Sequence, residues 1–353
     1  MQSASPLPTT TPLTQLAASP RWFPHALDPL SDQLLLVERP EADYRAASFL
    51  DDRSLTQGTP RRIVAWAELE RALPGNARQD ADYIFHIGHV GSTLVSRLLG
   101  ELGTVFALRE PLLLRTLHDL AAISGAPDSP WAPEWLKPRL ATARVLLSRT
   151  FRPAQRAMVK ATSFTSDLAP LLVPEGSRAL LMFDAPARYL ENILAGEASR
   201  RELQMVSGQR LKRLAGRLGE APARLWELDE GQKAALGWAC EMSALIAAAD
   251  ALGAHARWCD FSDFLLTPGD KLNEIADFFD HSITPAEATA IAAGPYMSRY
   301  SKGLDHAYSP KLRGEVLARS RTENRTAIAG GLAWLEQAAG RHPLLARCLE
   351  TGS

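Results

Sequence analysis

From residue 79 onward, short apolar runs closed by turn residues alternate with longer stretches of helical spacing. That alternation predicts an α/β domain, a parallel β-sheet flanked by helices with helical insertions. The clearest run, Tyr83, Ile84, Phe85, His86 and Ile87, reads as a buried strand. It passes through Gly88-His89-Val90-Gly91-Ser92-Thr93 into Leu94, Leu98 and Leu99 at helical spacing. Further strands are predicted over 104–108, 157–159 and 179–183 and up to Cys259. Helices are predicted over 112–123, 140–151, through Leu194, over 230–252 and from Leu272 to Phe279, with a last helical region from Pro310 to Leu345. Earlier in the chain, 34–37 reads as a short strand and 47–50 as an element ending in a charged turn. Trp66, Leu69 and Leu73 share a helix face that Pro74-Gly75-Asn76 breaks. The expected organisation is a disordered lead-in over 1–20, an extension over 21–78 packed on the core, and a main domain over 79–353.

Composition adds limits rather than detail. With 46% hydrophobic and 22% charged residues, the 353-residue chain can bury a large core. Its formal net charge of −1 gives no global attraction to nucleic acid or an anionic membrane, so an anion site must be local. Residues 1–19 have neither the basic start nor the apolar core of a signal peptide, and no membrane span is expected. Cys240, Cys259 and Cys348 show no metal-ligand or disulfide pattern, which points to a reducing cytoplasm. Arg200, Arg201, Arg210, Lys212, Arg213, Arg217 and Arg224 spread along the predicted helices of 197–224. A solvated face is preferred there over a flap above an acidic acceptor or a nucleotide lining.

The candidate chemistry gathers at predicted strand ends. A strand, a glycine-hinged turn and a helix in succession form a phosphate cradle, because unpaired N–H groups and the helix dipole point at one place. An ATP-type loop needs glycine where His86 stands and lysine where Ser92 stands. The second strand closes on Arg109-Glu110-Pro111 and the third on Lys160-Ala161-Thr162-Ser163. Strand ends of this kind are where open α/β sheets place ligands. Glu110 is a candidate general base or a helix cap, Arg109 an anion contact or a solvated ion-pair partner, and Lys160 a substrate contact or a surface residue.

The loop resembles that of the sulfotransferases that use 3′-phosphoadenosine-5′-phosphosulfate (PAPS). Gly91, Ser92 and Thr93 fall on that family's Gly-Thr-Thr, and His89 falls on its loop cation. The stretch 256–279, with Asp260-Phe261-Ser262-Asp263-Phe264-Leu265, Pro268 and the following helix, is similar to a late segment of the same family. Aligned on Pro186, Asp184 takes the family's arginine position and Asn192 its serine position, with Arg188 the nearest cation. Ser301-Lys302-Gly303 matches a late basic loop in place and type.

The resemblance implies in-line sulfuryl transfer from PAPS, without a metal, to a hydroxyl or amine of a small-molecule, glycan or peptide acceptor. Gly88, Gly91, Ser92 and Thr93 would hold the 5′-phosphosulfate, with His89 standing in for the loop cation. Glu110 would act as base, and Arg188, Asn192, Lys302 and Gly303 would hold the 3′ end. Arg109, Lys160 and His306 would face the acceptor or cofactor. Two alternatives stay open: a non-catalytic nucleotide- or partner-binding module on this fold, and an atypical phosphotransferase requiring ATP and Mg²⁺.

Overall fold

The computed structural model describes residues 11–299 and 309–352. The chain first builds a small antiparallel sheet of β1 (Trp22–Asp28), β2 (Gln33–Glu38) and β3 (Arg61–Ala65), in that spatial order. Phe23 pairs with Val37, and Leu34 with Val64. Only β2 falls where apolar content predicts a strand. Pro24 interrupts the pattern of β1, and the register shifts between Pro24 and Ala26. The edge strand β3 carries exposed Arg61 and Arg62, so it lacks the apolar alternation that would mark it. The lead-in expected as disordered is ordered in its second half, where the helix Leu13–Ala18 buries Leu16 and Ala17.

The main sheet contains β4 (Asp82–His86), β5 (Val105–Arg109), β6 (Arg156–Lys160), β7 (Ala179–Phe183) and β8 (Ala256–Asp260). Its order is β5-β6-β4-β7-β8 and every pair is parallel. Parallel strands require crossovers, and the helical stretches predicted between the strands supply them. The chain leaves β4 for β5 but later returns to its other side as β7, so the connections diverge at β4. Such a switch point leaves a crevice at the carboxyl ends of the strands. All five residues of β4 are buried, which explains its apolar centre Tyr83-Ile84-Phe85.

Two buried arginines fasten the lead-in helix and the extension to this domain. Arg109, pushed down to about 9 by burial, donates to the carbonyls of Tyr44, Arg45 and Ala47. Arg149, pushed down to about 10 by burial, donates to those of Leu16, Ala17 and Trp22. The helix Glu230–Leu252 is long and apolar enough to cross a membrane by length and composition, and here it forms the core.

The basic helix is a single element, Glu197–Leu218, with Arg201 and Lys212 exposed as a solvated face, whereas Arg210, Arg213 and Arg217 turn inward against that expectation. Arg210 and Arg213 are buried on Glu241, while Arg213 and Arg217 hold Asp167. Fully buried Glu241 sits on the neighbouring helix Glu230–Leu252, so opposite charges meet inside. Removing one member of such a set would strand another without a partner.

Candidate functional site

The glycine turn leaves the end of β4 and opens the helix Ser92–Leu99. Gly88, His89 and Gly91 have φ of 87°, 57° and 63°, the left-handed conformation that folds the chain back on itself. A Cβ on Gly91 would lie 2.0 Å from the ring of Phe261, so glycine is required there by both space and conformation. The loop is more enclosed than a cradle open above Gly91. His89 and Gly91 are partly accessible, whereas Ser92 and Thr93 are buried. The helix has no side-chain cap, since its N-cap is Gly91, and its first intrahelical bond runs from Val95 N–H to the Gly91 carbonyl. The N–H groups of Ser92, Thr93 and Leu94 therefore open the helix with no acceptor within it. Thr93 Oγ1 is buried beside them with no hydrogen-bond partner among the described residues.

Neighbouring strand ends hold the loop in place. Gly88 N–H donates to His86 Nδ1 at 2.9 Å, and His86 Nε2 lies 2.9 Å from the Ala161 carbonyl at the exit of β6. Asn192 Nδ2 donates to the His89 carbonyl at 2.8 Å. The Asn192 side chain thus braces the loop, a different use from the phosphate contact expected of it. His89 Nε2 stands 3.7 Å from Glu202 on the basic helix.

Glu110 and Lys160 come together at the adjoining ends of β5 and β6. Glu110 N–H continues the ladder to the Lys160 carbonyl at 2.7 Å, and φ of 51° turns its side chain onto the Lys160 ammonium. Lys160 is fully buried, which rules out a surface lysine, while the Glu110 side chain keeps 16% of its surface exposed. Glu110 also corrects the simpler expectation of a helix cap: it does not cap the next helix, Leu112–Ala122, which lacks a side-chain cap. Arg109 is not brought to this group. Its guanidinium is spent on the extension's carbonyls, a correction to its expected role as an anion contact.

On the other side of β4, Asp184 is buried and its carboxyl is raised above the usual range by burial, against the pull of Arg313 and Ser262. It accepts from Ser262 Oγ at 2.8 Å and Arg313 Nη2 at 2.7 Å. Arg313 in turn lies over the Phe261 ring at 5.1 Å, and that ring covers Gly91. Arg188 is exposed in the first turn of Pro186–Ala195. Lys302, Gly303, His306 and Tyr308 lie outside the described residues. Phe261, Arg313 and His86 are site residues that the sequence reading missed. One signal was present for Arg313, which stands in the first turn of Pro310–Glu323, where a helix dipole disfavours a cation without a partner.

Topology, switch point and glycine turn together define an open parallel α/β domain of the P-loop type. No family model and no curated protein matches the sequence. Among solved structures, the chain is similar to the sulfotransferase domain from the Curacin biosynthetic pathway. The identity is 13%, over 70% of this chain and 98% of that one, with a TM-score of 0.43. It is also similar to a sulfotransferase from Alicyclobacillus acidocaldarius, at 13% identity over 72% and 96% of the two chains and a TM-score of 0.36. A mouse sulfotransferase complexed with PAP is 8% identical over 79% and 90%, with a TM-score of 0.40.

Proposed function

We propose that this protein transfers the sulfuryl group of PAPS to a hydroxyl or amine of an acceptor. The observation that carries the reading is the opening of Ser92–Leu99. Three first-turn amides and the buried Thr93 Oγ1, without a partner among the described residues, converge where a tetrahedral anion would sit, one strand away from a carboxylate–lysine pair. These donors suit the phosphosulfate end of the nucleotide. Charge builds on the bridging oxygen as its bond to sulfur breaks, and fixed amides and cations aimed there lower the barrier. His89 is assigned to that oxygen, and Gly88 and Gly91 shape the turn.

Lys160 binds Glu110 Oε1, which leaves Oε2 to take the proton of the attacking hydroxyl. The acceptor oxygen bonds to sulfur, PAP departs with the bridging oxygen, and the proton ends on Glu110. Asn192 braces the loop through the His89 carbonyl, while Arg188, Lys302 and Gly303 are assigned to the 3′ end. There Arg313 offsets the charge of Asp184, which alone would repel a phosphate. Small molecules, glycans and peptides are the acceptor classes, with Lys160 and His306 on the acceptor side and the cytoplasm the compartment.

Release of PAP from PAPS across an acceptor panel tests the reading. Glu110→Gln is expected to cut turnover by about a hundredfold to ten-thousandfold, with PAP affinity kept. Unchanged turnover would remove Glu110 from the chemistry. The Lys160 contact to Glu110 also favours a second reading, a nucleotide-binding module without catalysis. It predicts PAP binding in both forms and turnover in neither.

A further inference from the structure

His86 has both ring nitrogens on the backbone. Gly88 N–H donates to Nδ1, so Nδ1 is unprotonated. The Ala161 carbonyl can only accept, so Nε2 carries the proton and the ring is the neutral Nε2–H tautomer. The ring is buried, and it joins the end of β4, the first residue of the glycine turn and the segment leading from β6 to Ser163.

We propose that His86 is the positioning residue that sets the anion-binding shape of the loop, and that it acts only as this neutral tautomer. A second proton, on Nδ1, would place two donors face to face at the present 2.9 Å. Gly88 N–H would lose its acceptor, the turn would open, and the grip on a phosphate would weaken on acidification.

Among the described residues, charged groups on the surrounding elements are mostly committed elsewhere. At the neighbouring strand ends, Lys160 is held by Glu110, and Asp184 by Arg313. Asp167, in the turn after β6, is held by Arg213 and Arg217, and Glu241 on Glu230–Leu252 by Arg210 and Arg213. Arg97 on the loop's own helix donates to the carbonyls of Arg45 and Ala46. His89, three residues along, stands by Glu202. His86 alone places a titrating nitrogen against a loop amide among these groups.

The inference rests on the reading that 88–93 grip a phosphorylated nucleotide, and two conservative variants separate its parts. Asparagine places Oδ1 where Nδ1 sits and keeps the acceptor for Gly88. Glutamine places its amide nitrogen near Nε2 and keeps only the donor to Ala161. His86→Asn is expected to bind PAP within about threefold of wild type, and His86→Gln about tenfold or more weaker. On acidification the wild type should lose affinity that His86→Asn retains. Titration of the ligand's own phosphates is common to both proteins, so the difference is the readout. Equal affinities for the two variants, or the same acid loss in His86→Asn, would overturn the proposal.

A ligand-free measurement keeps the two ideas apart. Imidazole nitrogen shifts should report the Nε2–H tautomer at neutral pH, and Gly88 amide exchange should be slow in wild type and His86→Asn but fast in His86→Gln. A proton on Nδ1 or unchanged Gly88 protection in His86→Gln would sink the role of His86. Failure of the wild type to bind PAP at any pH would instead sink the nucleotide reading.

Discussion

At the scale of single residues, Gly91 shows how little freedom the loop has. Its φ of 63° and the Phe261 ring, 2.0 Å from where a Cβ would stand, exclude any other residue for two separate reasons. Gly91→Ala should therefore weaken PAP binding by more than about tenfold and destabilise the protein. On a Phe261→Ala background, where the space is open, Gly91→Ala should still cost about 1 kcal/mol for the backbone conformation. Calorimetric titration and thermal melts of the double variant against Phe261→Ala alone check this, and no further loss on that background would show that the backbone demand is absent. Glycine spacing and the following hydroxyls made Gly88, Gly91, Ser92 and Thr93 legible as a turn and helix start. Phe261 and Arg313 were not legible as site residues, because their place beside Gly91 and Asp184 depends on tertiary contacts from later segments of the chain.

At the scale of elements, the opposite end of the main sheet sets the pH response. Asp82 is fully buried at the start of β4, and burial pushes its carboxyl up from 3.8 to about 6 despite Arg156 and the Arg178 N–H. A raised carboxyl favours the protonated form. Its contribution to stability is complete below pH 3.8 and is lost as pH rises through about 6. His281, bonded to Thr104 Oγ1 at 2.9 Å, is pulled down from 6.5 to about 4 by burial. Its contribution is complete above pH 6.5 and is lost as pH falls through about 4. In denaturant titrations, Asp82→Asn should gain on wild type by up to about 3 kcal/mol as pH rises through this window. His281→Asn should gain on wild type as pH falls. Parallel profiles for variants and wild type would contradict both assignments.

The same scale shows what periodicity can and cannot reveal. β4 to β7 were legible because parallel strands buried on both faces read as largely apolar runs, and the edge strand β8, only partly buried, through the turn that follows it. β1 and β3 escaped because a proline and a pair of exposed arginines hide the pattern. The arginines of Glu197–Leu218 misled for a related reason. A charged stripe looks the same whether it faces water or a buried glutamate on another helix.

For the whole molecule, the extension and the main domain share backbone hydrogen bonds as well as the Arg109 and Arg149 anchors. Leu50 N–H donates to the Arg109 carbonyl at 2.7 Å and Leu112 N–H to the Leu50 carbonyl at 3.3 Å, while the Trp131 side chain donates Nε1–H to the Pro29 carbonyl at 3.1 Å. Arg109 therefore serves both the strand that carries Glu110 and the extension, so docking and the candidate base share one strand end. The general class, an open α/β sheet with a phosphate-type turn at its switch point, was legible from the order of apolar runs and turns. The pairing of Glu110 with Lys160 was not, because it needs two strands in register and a positive φ at a residue other than glycine.

Titration of the purified wild-type protein with PAP and, separately, with ATP and Mg²⁺ tests the central claim most directly. The account predicts saturable PAP binding that Gly91→Ala loses, and far weaker binding of ATP. Tight ATP binding with no response to PAP would contradict it.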